Sequence, residues 1–225
     1  MGDRIAKDAL YDGFADVARA MANGHRAELL DVLAQGERHV EELAGEIGQS
    51  VATTSFHLRA LAAAGLVRTR REGTRIHYRV ASDAVVELWS ALRSVAAAHH
   101  GEITALTEAY VGARDQLDEV SRDELTDRLG RGNVVIIDVR PAREYAAGHI
   151  VGARSVPIER LSRALRTLPV DVEIVAYCRG RYCAFADQAV RTLRRRGRRA
   201  RRLQDGFPEW RLAHLPVESG LEPGA

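Results

Sequence analysis

The segment Glu173-Ile174-Val175-Ala176-Tyr177-Cys178-Arg179-Gly180-Arg181-Tyr182-Cys183, followed by a helical pattern from Ala184 to Arg196, most constrains the fold. An apolar run of this length reads as a strand buried on both faces. A strand that feeds a helix through a short turn is half of a parallel α/β unit. Cys178 and Cys183 bracket that turn and are the only cysteines in the chain. A thiol between a buried strand and a helix N-terminus sits among backbone N–H groups, which favour a thiolate. The spacing predicts a chemical site here, with Cys178 as the low-pKa thiol.

The surroundings support an α/β domain beginning near Ser121. Ser121-Arg122-Asp123-Glu124 is a capping box for a helix ending at Gly130. Val134-Val135-Ile136-Ile137 is a second apolar run of strand length. Helical patterns at 142–147, 158–168, 184–196 and 207–213 alternate with the strands, as a mainly parallel sheet requires.

Upstream the period is different. Leu10, Phe14, Val17 and Met21 recur at helical spacing. Arg26 to Gln35 and Val40 to Ile47 form further helices, closed by Gly36 and Gly48. Ser50 is a good N-cap for a fourth helix, Val51 to Ala64, which stops at Gly65. Two short helices joined by a tight glycine turn are a helix-turn-helix pattern. Leu66–Arg70 and Arg75–Val80 then read as strands joined at Glu72-Gly73-Thr74, the hairpin wing of an α+β winged helix. Another helix follows, with Val85, Trp89, Leu92 and Val95 on one face. Ile103, Leu106, Tyr110 and Leu117 continue as a helical connector. The expected division is a winged-helix domain over 1–98, a connector over 99–120, an α/β domain over 121–218 and a flexible tail over 219–225.

Composition limits the function. The chain has 225 residues, 46% of them apolar, enough for two cores. It lacks a long apolar span and a signal-type N-terminus, so a cytoplasmic protein without membrane attachment is expected, its cysteines reduced at rest. The net charge of +2 hides an asymmetry: residues 1–120 carry 13 Lys/Arg against 18 Asp/Glu, and residues 121–225 carry 20 against 13. Lys7 is the only lysine. Arginine runs therefore say less than usual, and the cluster from Arg194 to Arg202 reads first as a helix end and strand start.

The string Ser55-x-His57-Leu58-x-x-Leu61-x-x-Ala64-Gly65-Leu66-Val67, preceded by Ala22-Asn23-Gly24-His25-Arg26-Ala27-Glu28-Leu29-Leu30, resembles the ArsR family of winged-helix repressors over roughly residues 8–98. The resemblance implies double-stranded operator DNA as partner and a homodimer built from the first and post-wing helices. On the fourth helix, Phe56, Leu58, Leu61 and Ala62 are expected to face the core. Ser50, Thr53, Thr54, His57 and Arg59 are left for the groove or the phosphates. Arg68, Arg70, Arg71 and Arg75 concentrate on the wing, where they can meet phosphate. Family members often sense metals through cysteines on the third helix. The matching segment here, Val40–Ala44, has none, and His99-His100 point to different helix faces, so no metal site is expected.

In the second half, Asp138-Val139-Arg140-x-x-x-Glu144-Tyr145-x-x-Gly148-His149-Ile150-x-Gly152-Ala153-x-x-x-Pro157 and Asp205-Gly206-Phe207-Pro208-Glu209-Trp210 resemble the rhodanese fold over roughly 121–218. The resemblance implies a five-stranded, mainly parallel sheet. It makes Cys178 the nucleophile that takes sulfur from a sulfane donor as a persulfide and passes it to a thiol acceptor. No cofactor is implied. Arg179 and Arg181 would add positive charge, Gly180 and Tyr182 complete the loop, and Asp138 and Arg140 would brace it from the neighbouring strand end. The six-residue loop length favours sulfur over the chemistry of the related phosphatases and arsenate reductases. Two positions depart from the pattern: Asp205 stands where a glycine is usual, and His214 where a turn glycine is common. Cys183 is either a resolving thiol or a small side chain opening the helix.

Together these readings predict a dimeric DNA-binding regulator, a repressor by its resemblance, whose rhodanese-like domain senses or handles reactive sulfur or oxidants. The competing readings are a working sulfurtransferase with an accessory winged helix, and an arsenate reductase-like enzyme.

Overall fold

The computed structural model describes residues 3–112, 114 and 118–220. The chain divides into two compact units, one ending at Arg93 and one beginning at Ser94.

The first unit begins with α1 (Arg4–Met21) and α2 (Gly24–Leu33). A two-residue β1 (Arg38–His39) leads into α3 (Val40–Glu46) and α4 (Val51–Ala63). Polar caps start the helices: Asn23 Oδ1 accepts from Arg26 N at 3.2 Å, and Ser50 Oγ accepts from Thr53 N at 3.1 Å. Gly48 and Gly65 end α3 and α4 in the left-handed region, at φ +62° and +72°. The wing is β2 (Val67–Glu72) paired antiparallel with β3 (Arg75–Val80), from Val67↔Val80 to Glu72↔Arg75, with β1 on the other side of β3. Leu29, Leu30, Leu33, Leu43, Leu58 and Leu61 fill the core, closed by Tyr78 and Val85. Next comes α5 (Asp83–His99), inside which the unit boundary falls. Trp89 Nε1 and Arg93 Nη1 both donate to Asp31 Oδ1, at 2.9 and 3.0 Å, and hold α5 to α2.

The second unit continues with α6 (Ile103–Val111), β4 (Glu119–Val120), α7 (Arg122–Gly130) and β5 (Val134–Asp138). Then come α8 (Ala142–Ala147), β6 (His149–Ile150), β7 (Arg154–Ser155), a 3-10 turn (Ile158–Arg160) and α9 (Leu161–Ala164). The chain closes with β8 (Glu173–Tyr177), α10 (Ala184–Arg195), β9 (Ala200–Leu203), α11 (Phe207–Leu212) and β10 (Val217–Glu218). The main sheet runs β4-β9-β8-β5-β7, with every pairing parallel. Alternate residues of the central strands serve opposite faces. Ile137, Ile174 and Ala176 pack with α9 and α10; Ile136, Val175 and Tyr177 pack with α7 and α11. Both faces are covered, so the apolar runs read in the sequence are near-continuous.

Two local expectations change. The stretch 158–168 is a 3-10 turn and a four-residue helix rather than one helix. The connector helix stops at Gly112, at φ +80°, with Val111 buried but Leu106 and Tyr110 exposed; Leu117 lies outside the described residues. His214 is the sole non-glycine residue with positive φ among those described, at +54°, so it does occupy a glycine-type turn. No helix among the described residues is long and apolar enough to cross a membrane.

Candidate functional site

Two places carry functional side chains, one in each unit. On α4 the inward stripe is Thr54, His57, Leu58 and Leu61. Phe56 and Leu58 are two residues apart, which is about 200° around a helix, so both cannot face one core. Leu58 wins, and Phe56 is exposed. The expectation that Phe56 is inward and Thr54 and His57 outward is therefore corrected. Thr54 Oγ1 donates back to Ser50 O at 2.9 Å. His57 lies 5.6 Å from the His25 ring, and burial, then the charges of His25 and Arg26, push its pKa below the ordinary value. Its imidazole is neutral at physiological pH and offers no charge to phosphate. Ser50 and Thr53 stay at the helix start, their hydroxyls 2.9 Å apart, and Arg59 is exposed.

On the wing, strand alternation puts Arg68, Arg70, Arg75 and Arg79 on one face and Arg71 on the other. Arg70 is tied to two carboxylates, Glu37 at 2.5 Å and Glu72 at 2.8 Å. Arg71 Nε donates to Gly73 O at 3.1 Å and closes the hairpin turn. Arg68, Arg75 and Arg79 project to solvent.

The cysteine loop, 178–183, joins β8 to α10. Its backbone is fixed from two sides: Cys183 N donates to Gly180 O at 3.1 Å, and Phe207 N donates to Cys178 O at 3.1 Å. Gly180 takes φ +148°, a region open to glycine. A Cβ on Gly206 would lie 2.3 Å from Gly180 N, so only glycine lets α11 approach the loop this closely. Asp205, the residue departing from the usual glycine pair, needs no such freedom; it pairs with Arg122 at 2.8 Å.

Beneath the loop lies a buried polar cluster. Arg140 Nε donates to Asp138 Oδ1 at 3.0 Å, and its Nη2 donates to Asp138 Oδ2 at 2.5 Å and to Gly148 O at 2.7 Å. Tyr177 OH donates to Asp138 Oδ2 at 2.6 Å and accepts from Ile150 N at 3.1 Å. Asp138 and Arg140 thus hold Tyr177, the residue before Cys178, and the 148–150 turn. The Arg179 guanidinium closes on the buried Glu144, Nε to Oε1 at 3.0 Å and Nη2 to Oε1 at 2.5 Å. Arg181 is the loop's exposed cation.

Both thiols are reduced; Cys178 is fully buried and Cys183 partly so. Burial, then the neighbouring Cys183 sulfur, pushes the Cys178 thiol well up, against N–H groups of Gly180 and Ala186 that pull it down. Cys183 is the N-cap of α10. The Cys178 side chain beside it, then the N–H groups of Phe185 and Arg179, hold its pKa below the ordinary cysteine value. The expectation that Cys178 is the low-pKa thiol is corrected: Cys183 is the lowered one, because the helix dipole and the remaining solvent access belong to it. The Cys178 thiol donates to two carbonyls, Gly180 O at 3.7 Å and Cys183 O at 3.6 Å.

Sequence reasoning assigned no part to two buried acids beside this loop. Asp187, buried in the first turn of α10, receives Arg114 Nε and Nη2 at 2.8 and 2.7 Å and lies 3.3 Å from the buried Arg202. Glu144 receives Arg179. An acid beside Ala186 and Val190 on an apolar stripe was the one legible sign that a cation must come to it. α6 packs against α10, and a cavity of about 300 Å³ opens between α6 and the loop tip, lined by Thr104, Thr107, Glu108, Arg114, Arg181 and Tyr182.

A helix-turn-helix with a basic wing, joined to a parallel α/β unit that ends a strand in a two-cysteine loop, defines a DNA-binding regulator with an attached α/β domain. The comparisons agree. Residues 23–69 match the arsR family of bacterial regulatory proteins, and residues 121–213 match the rhodanese-like domain. The HTH-type transcriptional regulator Rv0324 of Mycobacterium tuberculosis is 46% identical over 223 residues, 99% of this chain and 98% of that protein. A sulfurtransferase of Allochromatium vinosum is 28% identical over 103 residues, 45% of this chain and 94% of that protein. Among solved structures, the homodimeric winged helix-turn-helix DNA-binding domain of Mb0332 from Mycobacterium bovis (fragment 1–100) is 47% identical, with a TM-score of 0.41, covering 44% of this chain and 90% of that one. The chain belongs to the ArsR family of transcriptional regulators, in the form that carries a C-terminal rhodanese-like domain.

Proposed function

We propose that this regulator is a homodimeric repressor of double-stranded operator DNA that responds to reactive sulfur or oxidants through Cys178 and Cys183. One observation carries the reading: the two cysteines bracket one loop at the start of α10, with Cys178 Sγ 3.6 Å from Cys183 O, and α10 is the helix against which α6 packs and to which Arg114 is tied. Loss of the Cys178 proton to solvent gives a Cys178 thiolate. That thiolate attacks the outer sulfur of a sulfane donor; the donor's S–S bond breaks and its thiolate or sulfite leaves. The product is a Cys178 persulfide. Cys183, as thiolate, then attacks the inner sulfur, forms the Cys178–Cys183 disulfide and releases hydrosulfide. Exposed Leu10, Tyr11 and Phe14 on α1, with Leu88, Leu92 and Val95 on α5, supply the apolar surface for the dimer. Binding to chromosomal DNA puts the protein in the cytoplasm, where both cysteines start reduced.

The test compares operator affinity of the reduced, persulfidated and disulfide forms of the full chain. The reading expects weaker binding by at least tenfold in one modified form, and no change in Cys178→Ser under the same treatment. Equal affinity in all forms, with fast turnover of thiosulfate to a thiol acceptor, would favour a working sulfurtransferase, the second reading that the likeness to the Allochromatium vinosum enzyme supports.

A further inference from the structure

The face of α4 turned away from the core is apolar where a DNA-reading helix is more often polar. Val51 and Phe56 are 45% and 60% exposed on a helix whose other large apolar side chains are buried. Ala52, Phe56 and Arg59 follow each other along the exposed stripe, with Ser55 half-buried between them. The Phe56 ring leans edge-on against His57, 5.6 Å between centroids, which holds it in place without covering it. The second helix of a helix-turn-helix lies in the major groove with its first residues at the base edges. Val51 to Arg59 are those residues.

We infer that Phe56, with Val51 beside the helix start, reads thymine 5-methyl groups in the major groove of the operator. A phenyl ring makes no hydrogen bond to a base edge, and the 5-methyl of thymine is the one apolar group that the major groove of an unmodified duplex presents. The occupant of this face is duplex DNA rather than a second protein surface because of its charge setting. Between residues 50 and 81 there are six arginines and one acid, Glu72. Arg70 answers that acid, while Arg59, Arg68, Arg75 and Arg79 point to solvent. An apolar strip set among cations matches a groove floor between two phosphate rails. Specificity thus rests on methyl contact at α4, and the hydroxyl and imidazole of Thr54 and His57 are spent inside the fold.

The experiment uses the full chain. Its preferred duplex is selected from a randomised pool, and each thymine of the selected half-site is then replaced singly by deoxyuridine, which removes the methyl and nothing else. Wild type should lose about fourfold in affinity at one or two thymines, the worth of one buried methyl. Phe56→Ala should bind the thymine and deoxyuridine duplexes equally, while Phe56→Leu keeps part of the preference. Circular dichroism and sedimentation of each variant check that fold and oligomeric mass are unchanged, as expected for an exposed side chain. A half-site free of thymine, a wild type indifferent to every methyl, or a Phe56→Ala variant that keeps the methyl preference overturns the inference. So does a change of oligomeric mass in Phe56→Ala without loss of methyl preference, which would make the ring a protein contact.

Discussion

Arg114 donates from Nε and Nη2 to Oδ2 of Asp187, at 2.8 and 2.7 Å, and so fastens the segment after α6 to the first turn of α10. Asp187 is 1% exposed. Its other oxygen lies 3.3 Å from Arg202, itself buried. Removing Arg114 leaves a buried carboxylate half compensated. Arg114→Ala should destabilise the second unit by roughly 1–3 kcal/mol, read as a lower urea midpoint at unchanged slope. If the proposed coupling runs through α6, the same variant should also bind operator alike in reduced and oxidised forms. An unchanged urea midpoint would mean the pair contributes nothing to stability.

The thiol pair predicts an order of reaction. Cys183 lies below the ordinary cysteine value and Cys178 above it. Iodoacetamide should label Cys183 first, with the rate rising at lower pH than for an unperturbed thiol. The linkage signs oppose each other. For Cys183, lowered on folding, the stabilising contribution is fully present above the unfolded cysteine value and is lost as pH falls through the folded one. For Cys178, raised on folding, stability falls once pH exceeds the unfolded value, because only the unfolded thiol then ionises. In Cys183→Ser the neighbouring sulfur no longer opposes ionisation, so Cys178 should become more reactive at a given pH than in wild type. Peptide mass mapping after brief labelling reads both results; first labelling at Cys178 in the wild type would reverse the assignment.

The sheet, the loop and the wing were legible because each is written in short-range pattern. Val134–Ile137 and Ile174–Tyr177 are apolar at successive positions, and a strand covered on both faces needs that. Ser50, Gly48 and Gly65 mark helix ends by local chemistry. The misreadings concern which way side chains turn. Phe56 was placed inward because it is apolar, although Leu58 already fixed the helix's rotation. The partner of Arg179 was not legible either, because Glu144, which takes its guanidinium, is far off in sequence. The ordering of the two thiols depends on which one caps α10 and which one is desolvated, and neither is visible in spacing alone. Long-range ion pairs such as Arg114–Asp187 leave only a faint trace, an acid on an apolar stripe.

The wing arginines should not be equivalent. Arg70 is held by Glu37 and Glu72, whereas Arg68 and Arg75 face solvent. A cation that meets phosphate releases counterions and adds about 0.9 to the slope of log affinity against log salt. Arg68→Ala or Arg75→Ala should each flatten that slope by up to this amount and weaken binding to all sequences. Arg70→Ala should flatten it less, since part of its charge is already answered within the protein. Titration of a labelled duplex at several salt concentrations measures the slopes; a larger effect for Arg70 than for Arg68 and Arg75 would show that DNA displaces the two carboxylates.

Gly206 should be the least replaceable residue near the loop. A Cβ there would sit 2.3 Å from Gly180 N, 2.4 Å from Gly180 Cα and 2.5 Å from the Arg179 carbonyl carbon. These are backbone atoms, and the loop they belong to is pinned at Cys178 O by Phe207 N. The loop cannot yield without losing that bond, and α11 cannot retreat without uncovering Phe207 and Trp210, both buried. Overpacking of this kind costs about 1–3 kcal/mol when side chains can give way. Here backbone must move, so Gly206→Ala should lie at the upper end of that range or beyond it. The displaced loop should also move Cys178 away from Cys183 and break the Cys178 Sγ–Cys183 O contact. Cys183 would then lose the group that most lowers its pKa, and its labelling rate at neutral pH should fall towards that of an ordinary thiol. Urea unfolding and iodoacetamide kinetics on the same variant check both effects. A variant that is destabilised but labels like wild type would show that the loop moves as a rigid piece and that the thiol pair survives the shift.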